Sequence, residues 1–337
     1  MEHLNRVHDW SALNVELGVQ LPALVPMFLG DLGEPDARVV ERTVTSGKKI
    51  RACLVLAVCD ALGASISRAM RSAIAVECVH AASLIHDDLV DGDPTRRSEP
   101  AAWIVHGSRR AVLLGDVIFA TALYRAAQIG KDEVLTLSRA IAQVAAGAYQ
   151  ERIDPRDIEQ AVSDGSFGPV LYERVIQLKT GALFAAAAEL GAIAAGASSE
   201  LRHASAEFGA RTGRAYQIAD DLEDVLGYIG ASAITRQQRA LLASFLASFD
   251  MAEAAQAALA PGEPLHCLAD LRDLVGAMEA EIARQTTLAQ RALTEFPQRS
   301  RVDLLHAIPS MIVEPSLRAA RCVRRDVACN DLRAFGP

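Results

Sequence analysis

The chain has 337 residues, of which 51% are apolar and only 5% aromatic, and its formal net charge is −8. A chain of this length can bury a sizeable core, in one large domain or in two ordinary ones. Its acidic balance argues against binding to nucleic acid or to an anionic membrane surface. The many alanines and few aromatic residues favour closely packed helices over sheets.

Apolar residues recur at helical spacing along most of the chain, and glycine and proline end most of these patterns. No window alternates apolar and polar residues with a period of two, so we expect no strand. The predicted helices cover residues 10–30, 36–45, 52–62, 66–91, 108–129, 132–152, 169–197, 200–227, 235–259, 266–294, 299–313 and 316–334, with a loop between 152 and 169. We therefore predict one all-α domain over residues 1–337, a helical bundle around a central cavity.

The sequence favours a cytoplasmic protein without a membrane span. The six cysteines are scattered without a CxxC pair, which is typical of reduced thiols. The N-terminus lacks the basic start and apolar run of a signal peptide. Residues 180–199 carry one charge, Glu189, and are long enough to cross a bilayer. Their alanine and glycine content favours a buried helix of a bundle instead.

Two clusters of aspartates lie within apolar helical patterns. They share the spacing i, i+1, i+4 and comprise Asp87, Asp88 and Asp91 in one helix and Asp220, Asp221 and Asp224 in another. Like charges at this spacing destabilise an isolated helix by roughly 0.2–0.5 kcal/mol per pair, so helix stability does not explain them. Mg2+ prefers oxygen ligands and is often held by carboxylates together with substrate phosphates. The two clusters therefore predict a divalent-metal site across a cavity.

Further motifs in the same chain resemble the trans-prenyltransferases, or polyprenyl diphosphate synthases, which have the isoprenoid synthase fold. An arginine pair follows the first cluster, a glutamine precedes the second, and a GKxxR element and a Lys-Thr pair stand in the family's order. The resemblance is close over residues 40–227 and weaker over 228–315, and it leaves a basic tail at 316–337. Besides the aspartates, it rests on Gly47, Lys48, Arg51, His80, Arg96, Arg97, Lys179, Thr180 and Gln217.

The resemblance implies chain elongation, in which isopentenyl diphosphate is joined to an allylic prenyl diphosphate. Up to three Mg2+ ions, bound by the six aspartates with the substrate diphosphate, would assist ionisation of the allylic substrate. The resemblance implies a catalytic role for Asp87, Asp88, Asp91, Lys179, Asp220 and Asp221. The allylic diphosphate would be bound by Arg96 and Lys179, and isopentenyl diphosphate by Lys48, Arg51, His80 and Arg97. Substrate binding is also implied for Thr180 and Gln217. The family also implies a homodimer, with the helix over 108–129 as its interface.

Product length is expected to depend on residues just before the first cluster. In short-chain members of the family, bulky side chains at these positions form a floor below the growing product. Here they are Ala82 and Ser83, which are small, so the resemblance implies a product of geranylgeranyl length or longer. Deeper side chains at Phe119, Leu123 and Tyr124 are the alternative floor.

The sequence departs from the family at several positions. Members usually carry a lysine in the loop after the second cluster, but no lysine follows residue 179 here. Arg236 and Arg239 are the candidates to replace it. Ala52 and Ser98 stand where the family commonly has proline and glycine.

Two other functions stay open. A class I terpene cyclase-like enzyme would ionise a prenyl diphosphate without elongation, and a non-catalytic subunit would support a heteromeric prenyltransferase. The retained second diphosphate pocket argues against the first, and the six retained aspartates argue against the second.

Overall fold

The computed structural model describes residues 2–28, 34–152, 154–229, 234–259, 268–297 and 301–334. Over these residues the protein is almost wholly helical, which confirms the predicted all-α fold. Its helices are α1 (Glu2–Leu24), α2 (Glu34–Thr45), α3 (Ile50–Ala61), α4 (Met70–Asp91), α5 (Ala102–His106), α6 (Ser108–Ile129), α7 (Lys131–Gln150), α8 (Pro155–Ser163), α9 (Pro169–Ile176), α10 (Ala182–Ala194), α11 (Ser199–Ile229), α12 (Arg236–Ser248), α13 (Ala252–Leu259), α14 (Leu268–Ala292) and α15 (Val302–Ala334). Two short strands, β1 (Thr95–Arg96) and β2 (Glu99–Pro100), form an antiparallel hairpin, and Gln177–Gly181 is a π-helical turn.

Helix α8 lies where the sequence predicts a loop, so that prediction is wrong. The carboxylate of Asp154 accepts the backbone N–H of Arg156 at 2.8 Å and thereby caps the helix. Pro155 suits the first turn because its fixed φ is helical and its missing donor is not needed there. A helix of nine residues has too few apolar positions to establish a period, and the Asp-Pro start is its clearest signal.

Other predicted boundaries also differ from the structure, and in two places the number of helices changes. The helix predicted over 235–259 is interrupted at Asp250, whose φ of 61° is left-handed, so α12 and α13 are separate. The helices predicted over 299–313 and 316–334 are one helix, α15, with Pro309 and Pro315 inside it. An interior proline costs about 3 kcal/mol, and the packing of α15 against α11 and α14 compensates for it.

Small residues let the central helices pack closely. Helix α11 packs against α10, α14 and α15, and α10 also packs against α3. At Gly191 of α10, a Cβ atom would lie 2.4 Å from the carbonyl oxygen of Val55 in α3, so only glycine permits this approach. Phe184 and Phe208 are fully buried in the same core. A fully buried side chain of this kind contributes roughly 1.5–3 kcal/mol.

Two segments of the described chain are long and apolar enough to cross a membrane, namely Ser108–Ile129 and Pro169–Ala194. In the second, 67% of the most apolar window is buried inside the protein. It includes α10, which is the buried bundle helix predicted around Glu189. In the first, only 28% is buried. Helix α6 therefore presents an apolar surface that the protomer itself does not cover.

Candidate active site

The two acidic clusters border one cavity of about 830 Å³. The aspartates of the two clusters that line it are Asp87 and Asp91 from α4, and Asp220, Asp221 and Asp224 from α11. Apolar side chains also contribute to the wall, among them Leu84, Leu171, Val175, Ile176, Leu241 and Phe245. The cavity thus combines a group of carboxylates with a surface suited to a hydrocarbon chain.

The five cluster aspartates that line this cavity have raised pKa values. Burial is the main cause, and neighbouring carboxylates add to it. The pKa of Asp91 rises to about 6, although the charge of Lys179 opposes the rise. The pKa of Asp221 rises to about 7, although hydrogen bonds from Tyr172 and Gln217 oppose the rise. Crowded carboxylates of this kind are stabilised by nearby positive charge, so the cavity attracts cations.

The set of donors fits a hard divalent cation that is shared with a substrate. Mg2+ prefers oxygen ligands and usually binds to one or two carboxylates together with substrate phosphates. Within the described ranges, no three His, Cys, Asp or Glu side chains are arranged to hold a metal ion by themselves. Aspartates on two helices around one cavity therefore suit ions bridged by a diphosphate better than a site made of protein alone.

Asp88 is not among the residues that line this cavity. Its side chain is only 4% exposed, and it accepts hydrogen bonds from Nε of Arg96 at 2.7 Å and from a terminal nitrogen of the same guanidinium. Arg96 itself borders the cavity. Burial alone would lower the pKa of Arg96, but the hydrogen bond and charge of Asp88 raise it. The metal-binding role of Asp88 remains a prediction, and its visible role is to hold Arg96.

Lys179 reaches the same cavity from the π-helical turn. Turns of this type often occur at functional sites because they shift which side chains face a given direction. At Gly147 of α7, a Cβ atom would lie 2.6 Å from the backbone nitrogen of Lys179, so this glycine lets α7 approach the turn. The ammonium group pairs with Glu151. Burial would lower the pKa of Lys179, but the charges of Glu151, Asp87 and Asp91 raise it, so the side chain stays cationic.

A row of hydrogen bonds connects the Lys-Thr pair to the second acidic cluster. Oγ1 of Thr180 donates to Oε1 of Gln217 at 2.6 Å. Nε2 of Gln217 donates to Oδ1 of Asp221 at 2.9 Å, and the hydroxyl of Tyr172 donates to Oδ2 of Asp221 at 2.5 Å. The motif residues Thr180 and Gln217 therefore act on the same carboxylate.

The four residues predicted to hold isopentenyl diphosphate border a second pocket, of about 370 Å³. They are Lys48, Arg51, His80 and Arg97. Burial and the nearby positive charges of Arg51, Arg97 and Arg96 hold the pKa of His80 well below its usual range, so His80 is neutral near pH 7. With Lys49, which also lines it, the pocket thus offers four cations and one neutral imidazole, a combination suited to an anionic ligand.

Arg97 reaches this pocket from the hairpin between β1 and β2. Arg97 and Ser98 form its two-residue turn with φ values of 53° and 65°, the geometry that normally favours Asn-Gly. The guanidinium of Arg97 donates to the carbonyl of Thr43 at 3.2 Å and to Oγ of Ser46 at 3.0 Å. The left-handed φ explains why glycine is common at the position of Ser98, and strain of this kind typically occurs at binding sites.

A buried carboxylate, Glu77, lies beside the cations of the second pocket. Its Oε1 accepts the backbone N–H of Ala52 at 2.9 Å. Proline, the common residue at the position of Ala52, has no N–H and is unable to form this bond. Arg51 stacks over the ring of Phe184 at 4.7 Å, and its buried Nε has no hydrogen-bond partner among the residues that the structure describes. The guanidinium of Arg51, which borders this pocket, is therefore oriented by its packing on Phe184 and retains a hydrogen-bond donor.

The two arginines proposed as replacements for the missing lysine have other partners. Arg236 forms two hydrogen bonds with Glu159, at 2.7 and 2.5 Å, and Arg239 donates to the carbonyl of Ala258 at 3.2 Å. Neither borders the acidic cavity, to which α12 contributes Gln237. That hypothesis is therefore not supported, and part of the loop, residues 230–233, lies outside the described residues.

Three cationic side chains border the acidic cavity among the described residues, and the sequence motifs missed one of them. Arg96 pairs with Asp88, and Lys179 pairs with Glu151. Arg152 forms no ion pair with any residue in the described ranges, although its charge adds to the hydrogen bonds from Ser166 that lower the pKa of Asp164. It follows α7 in the charged segment after Gln150, but no family motif marks it. Glu77, Glu151 and Tyr172 were missed as well, although Glu77 belongs to a polar stripe that also contains His80.

The residues predicted to set product length are close to the cavity. Ala82 is fully buried, and the hydroxyl of Ser83 donates to the carbonyl of His80 at 2.8 Å. The next residue, Leu84, borders the cavity. Of the alternative floor residues, Phe119 packs edge-on against His86 at 5.6 Å, whereas 61% of Tyr124 is exposed on the protomer.

Known proteins are similar to this chain in sequence and in fold. A family model described as polyprenyl synthetase matches residues 37–234. A geranylfarnesyl diphosphate synthase of Methanosarcina mazei is 36% identical over 190 residues, which are 56% of this chain and 62% of that protein. Component 2 of a heptaprenyl diphosphate synthase of Geobacillus stearothermophilus is 29% identical over 316 residues, 92% of each chain. The aligned segments span only about three-fifths of the first of these relatives.

Solved structures extend the similarity to most of the chain. A polyprenyl synthase from Caulobacter crescentus, complexed with calcium and isoprenyl diphosphate, superposes with a TM-score of 0.72 and 27% identity. It covers 91% of this chain and 97% of that one. A decaprenyl diphosphate synthase from Rhodobacter capsulatus gives a TM-score of 0.70 and 26% identity over 91% of this chain and 99% of its own. The chain therefore belongs to the polyprenyl synthetase family.

Proposed function

We propose that the protein is a Mg2+-dependent trans-prenyltransferase that condenses isopentenyl diphosphate with an allylic prenyl diphosphate. The observation that carries this proposal is that an acidic cavity and a basic pocket adjoin along the same two helices. Helix α4 contributes His80 to the basic pocket and Asp87 to the acidic cavity, and α11 contributes Tyr216 and Gln217 in the same way. A reaction between two diphosphate esters requires two such anion sites side by side.

The acidic cavity suits the allylic substrate. Its aspartates would hold Mg2+, which when bound stabilises the negative charge that develops on the departing diphosphate. Lys179 and Arg96 provide donors for phosphate oxygens. The apolar part of the wall, which includes Leu171 and Ile176, packs against the prenyl chain. A volume of about 830 Å³ is typical of a cavity that encloses a ligand of this size.

The basic pocket suits isopentenyl diphosphate. Lys48, Arg51 and Arg97 bind the diphosphate directly, and neutral His80 donates a hydrogen bond without adding charge. In the reaction, the C–O bond of the allylic ester breaks, and the terminal alkene carbon of isopentenyl diphosphate bonds to the allylic C1. A proton then leaves to the departing diphosphate. The basic pocket keeps the second diphosphate away from the metal ligands, and only the allylic ester can ionise to a resonance-stabilised cation.

We propose a product of geranylgeranyl length or longer. Relatives named as farnesyl, geranylfarnesyl and heptaprenyl diphosphate synthases match this chain to similar degrees, so the names alone do not select a length. The small side chains of Ala82 and Ser83 leave no bulky group at the positions where short-chain members carry one. This supports extension of the product beyond the level of Leu84.

We further propose that the protein is cytoplasmic and forms a homodimer through α6. Several apolar side chains of this helix are exposed on the protomer, including Leu113 at 52% and Val117 at 38%. Burial of such a stripe against a second copy stabilises both copies. The Geobacillus relative is named as one component of a two-component enzyme, so a different partner is the alternative occupant of this face.

The experiment that tests the function is product analysis by mass spectrometry. The purified chain is incubated with Mg2+, isopentenyl diphosphate and allylic primers of different lengths. We expect prenyl diphosphates longer than the primer and no turnover in the presence of a chelator. Diphosphate release from the primer alone would instead identify a cyclase-like enzyme. Activity that requires an added second protein would identify a subunit of a heteromeric enzyme.

A further inference from the structure

Tyr172 of α9 stands outside the sequence motifs but makes a close contact with one of them. Its ring packs against Phe249, with centroids 5.7 Å apart. Tyr172 borders the acidic cavity, and its hydroxyl donates a 2.5 Å hydrogen bond to Oδ2 of Asp221. A tyrosine hydroxyl has one proton to donate, so this contact uses its whole donor capacity.

The other oxygen of the same carboxylate is held from a different direction. Nε2 of Gln217 donates to Oδ1 of Asp221 at 2.9 Å, and Oε1 of Gln217 accepts from Thr180 at 2.6 Å. Because the amide oxygen accepts from Thr180, the amide nitrogen must face Asp221. Each carboxylate oxygen offers about two lone-pair positions. One donor on each oxygen therefore fixes the plane of Asp221 and leaves the other lone pairs available.

The partners of Asp221 are all neutral, in contrast to those of Asp88. Asp88 is paired with the guanidinium of Arg96, which neutralises its charge. Asp221 is oriented by a phenol and an amide, which leave its negative charge uncompensated. A carboxylate that is held rigidly and has no cationic hydrogen-bond partner among the described residues is suited to bind a cation.

We propose that Tyr172 is a positioning residue that orients Asp221 toward a divalent cation in the cavity, and that Thr180 does the same through Gln217. This inference rests on the proposed function, since it assumes that the acidic cavity binds Mg2+ with a diphosphate. Groups that hydrogen-bond to a metal ligand typically contribute 10- to 100-fold to metal affinity.

The test compares Tyr172→Phe with Tyr228→Phe, which removes the same hydroxyl elsewhere near the same cluster. Burial and the charges of Asp224 and Asp221 raise the pKa of Tyr228 to about 12, but its hydroxyl forms no hydrogen bond with a residue that the structure describes. Mg2+ is titrated by calorimetry into each protein in the presence of inorganic diphosphate. We expect the Kd for Mg2+ to rise about 10-fold in Tyr172→Phe and less than about 3-fold in Tyr228→Phe.

A second pair of variants keeps the test independent of the tyrosine ring. Thr180→Val removes the donor to Gln217 and should raise the Kd for Mg2+. Thr180→Ser retains the hydroxyl, so its Kd for Mg2+ should equal that of the wild type. Thermal unfolding without metal verifies that each variant is folded. An unchanged Kd in Tyr172→Phe, or equal losses in both tyrosine variants, would overturn the inference. If the wild-type protein binds Mg2+ with diphosphate but elongates no primer, the proposed function fails, whereas the positioning role is still decided by the Kd values.

Discussion

At the scale of single residues, the site depends on how each aspartate is paired. Asp88 has a cationic partner, Asp221 has neutral partners, and Asp91 lies near the ammonium of Lys179. The i, i+1, i+4 spacing places these carboxylates on one helix face but does not reveal their partners. Some partners are close in sequence, such as Arg96 of β1 and Gln217 of α11, whereas those on α9 and the π-helical turn are distant. Identical motifs therefore contain aspartates with different electrostatic surroundings.

The raised pKa of Asp221 predicts a pH dependence of stability in the metal-free protein. Its folded pKa of about 7 lies above the unfolded value of about 3.9. The folded state therefore binds the extra proton, and the stability contributed by this group rises as pH falls from 8 towards 4. Asp221→Asn removes this titration. We expect the difference in unfolding free energy between wild type and variant to change by roughly 1 kcal/mol between pH 8 and pH 6.

Urea unfolding of both proteins with a chelator present measures this difference. The variant should gain stability relative to wild type at pH 8 and lose that advantage at pH 6. A difference that is constant across this range would show that Asp221 keeps an ordinary pKa when no metal is bound.

At the scale of elements, the long helices are predicted well from the sequence, whereas the short segments around the cavity are not. Apolar periodicity predicts α4, α6, α10 and α11 well because each has enough turns to show its period. It misses α8 and the β1–β2 hairpin because two turns, or two residues per strand, carry no measurable period. It also misses the π-helical turn that directs Lys179 and Thr180, since that turn depends on the approach of α7 at Gly147. Of the site residues that the sequence motifs missed, Tyr172 lies on the short helix α9, Glu151 and Arg152 follow the end of α7, and Glu77 lies on the long helix α4.

Arg152 is a cavity residue on one such short segment, between α7 and α8. It borders the acidic cavity, and its charge is not used by an ion pair within the described part of the chain. Hydrogen bonds to charged groups contribute about 1.5–3 kcal/mol, with exposed groups at the low end. We therefore expect Arg152→Ala to raise the KM for the allylic substrate about 10-fold and to leave the KM for isopentenyl diphosphate nearly unchanged.

Steady-state kinetics with each substrate varied in turn measures this effect. Arg156→Ala is the matched control, because Arg156 is exposed on the neighbouring α8 but does not border the cavity. Equal KM values in wild type and Arg152→Ala would exclude a contact between Arg152 and the allylic diphosphate.

At the scale of the whole molecule, α11 connects the parts of the protein. Its residue Phe208 lies in one buried cluster, with α3, α4 and α10, whereas Ile218 and Leu222 lie in a second cluster, with α12 and α14. We propose on this basis that residues 1–337 form one domain, as the sequence predicts. The acidic cluster of α11 belongs to the helix that both cores hold in place, which gives its carboxylates a rigid support.

The last prediction concerns assembly and rests on the exposed apolar face of α6. Leu113 and Val117 are one turn apart and share an exposed face. A carboxylate placed there would have to be buried without a partner in a dimer interface, which is strongly unfavourable. We expect the wild-type protein to have twice the 36.0 kDa mass of one chain and Leu113→Glu to shift it to the monomer, as measured by light scattering. Val19→Glu, at a valine of α1 that is 66% exposed, should remain dimeric. A wild-type monomer, or a dimer that survives Leu113→Glu, would show that α6 is not the interface.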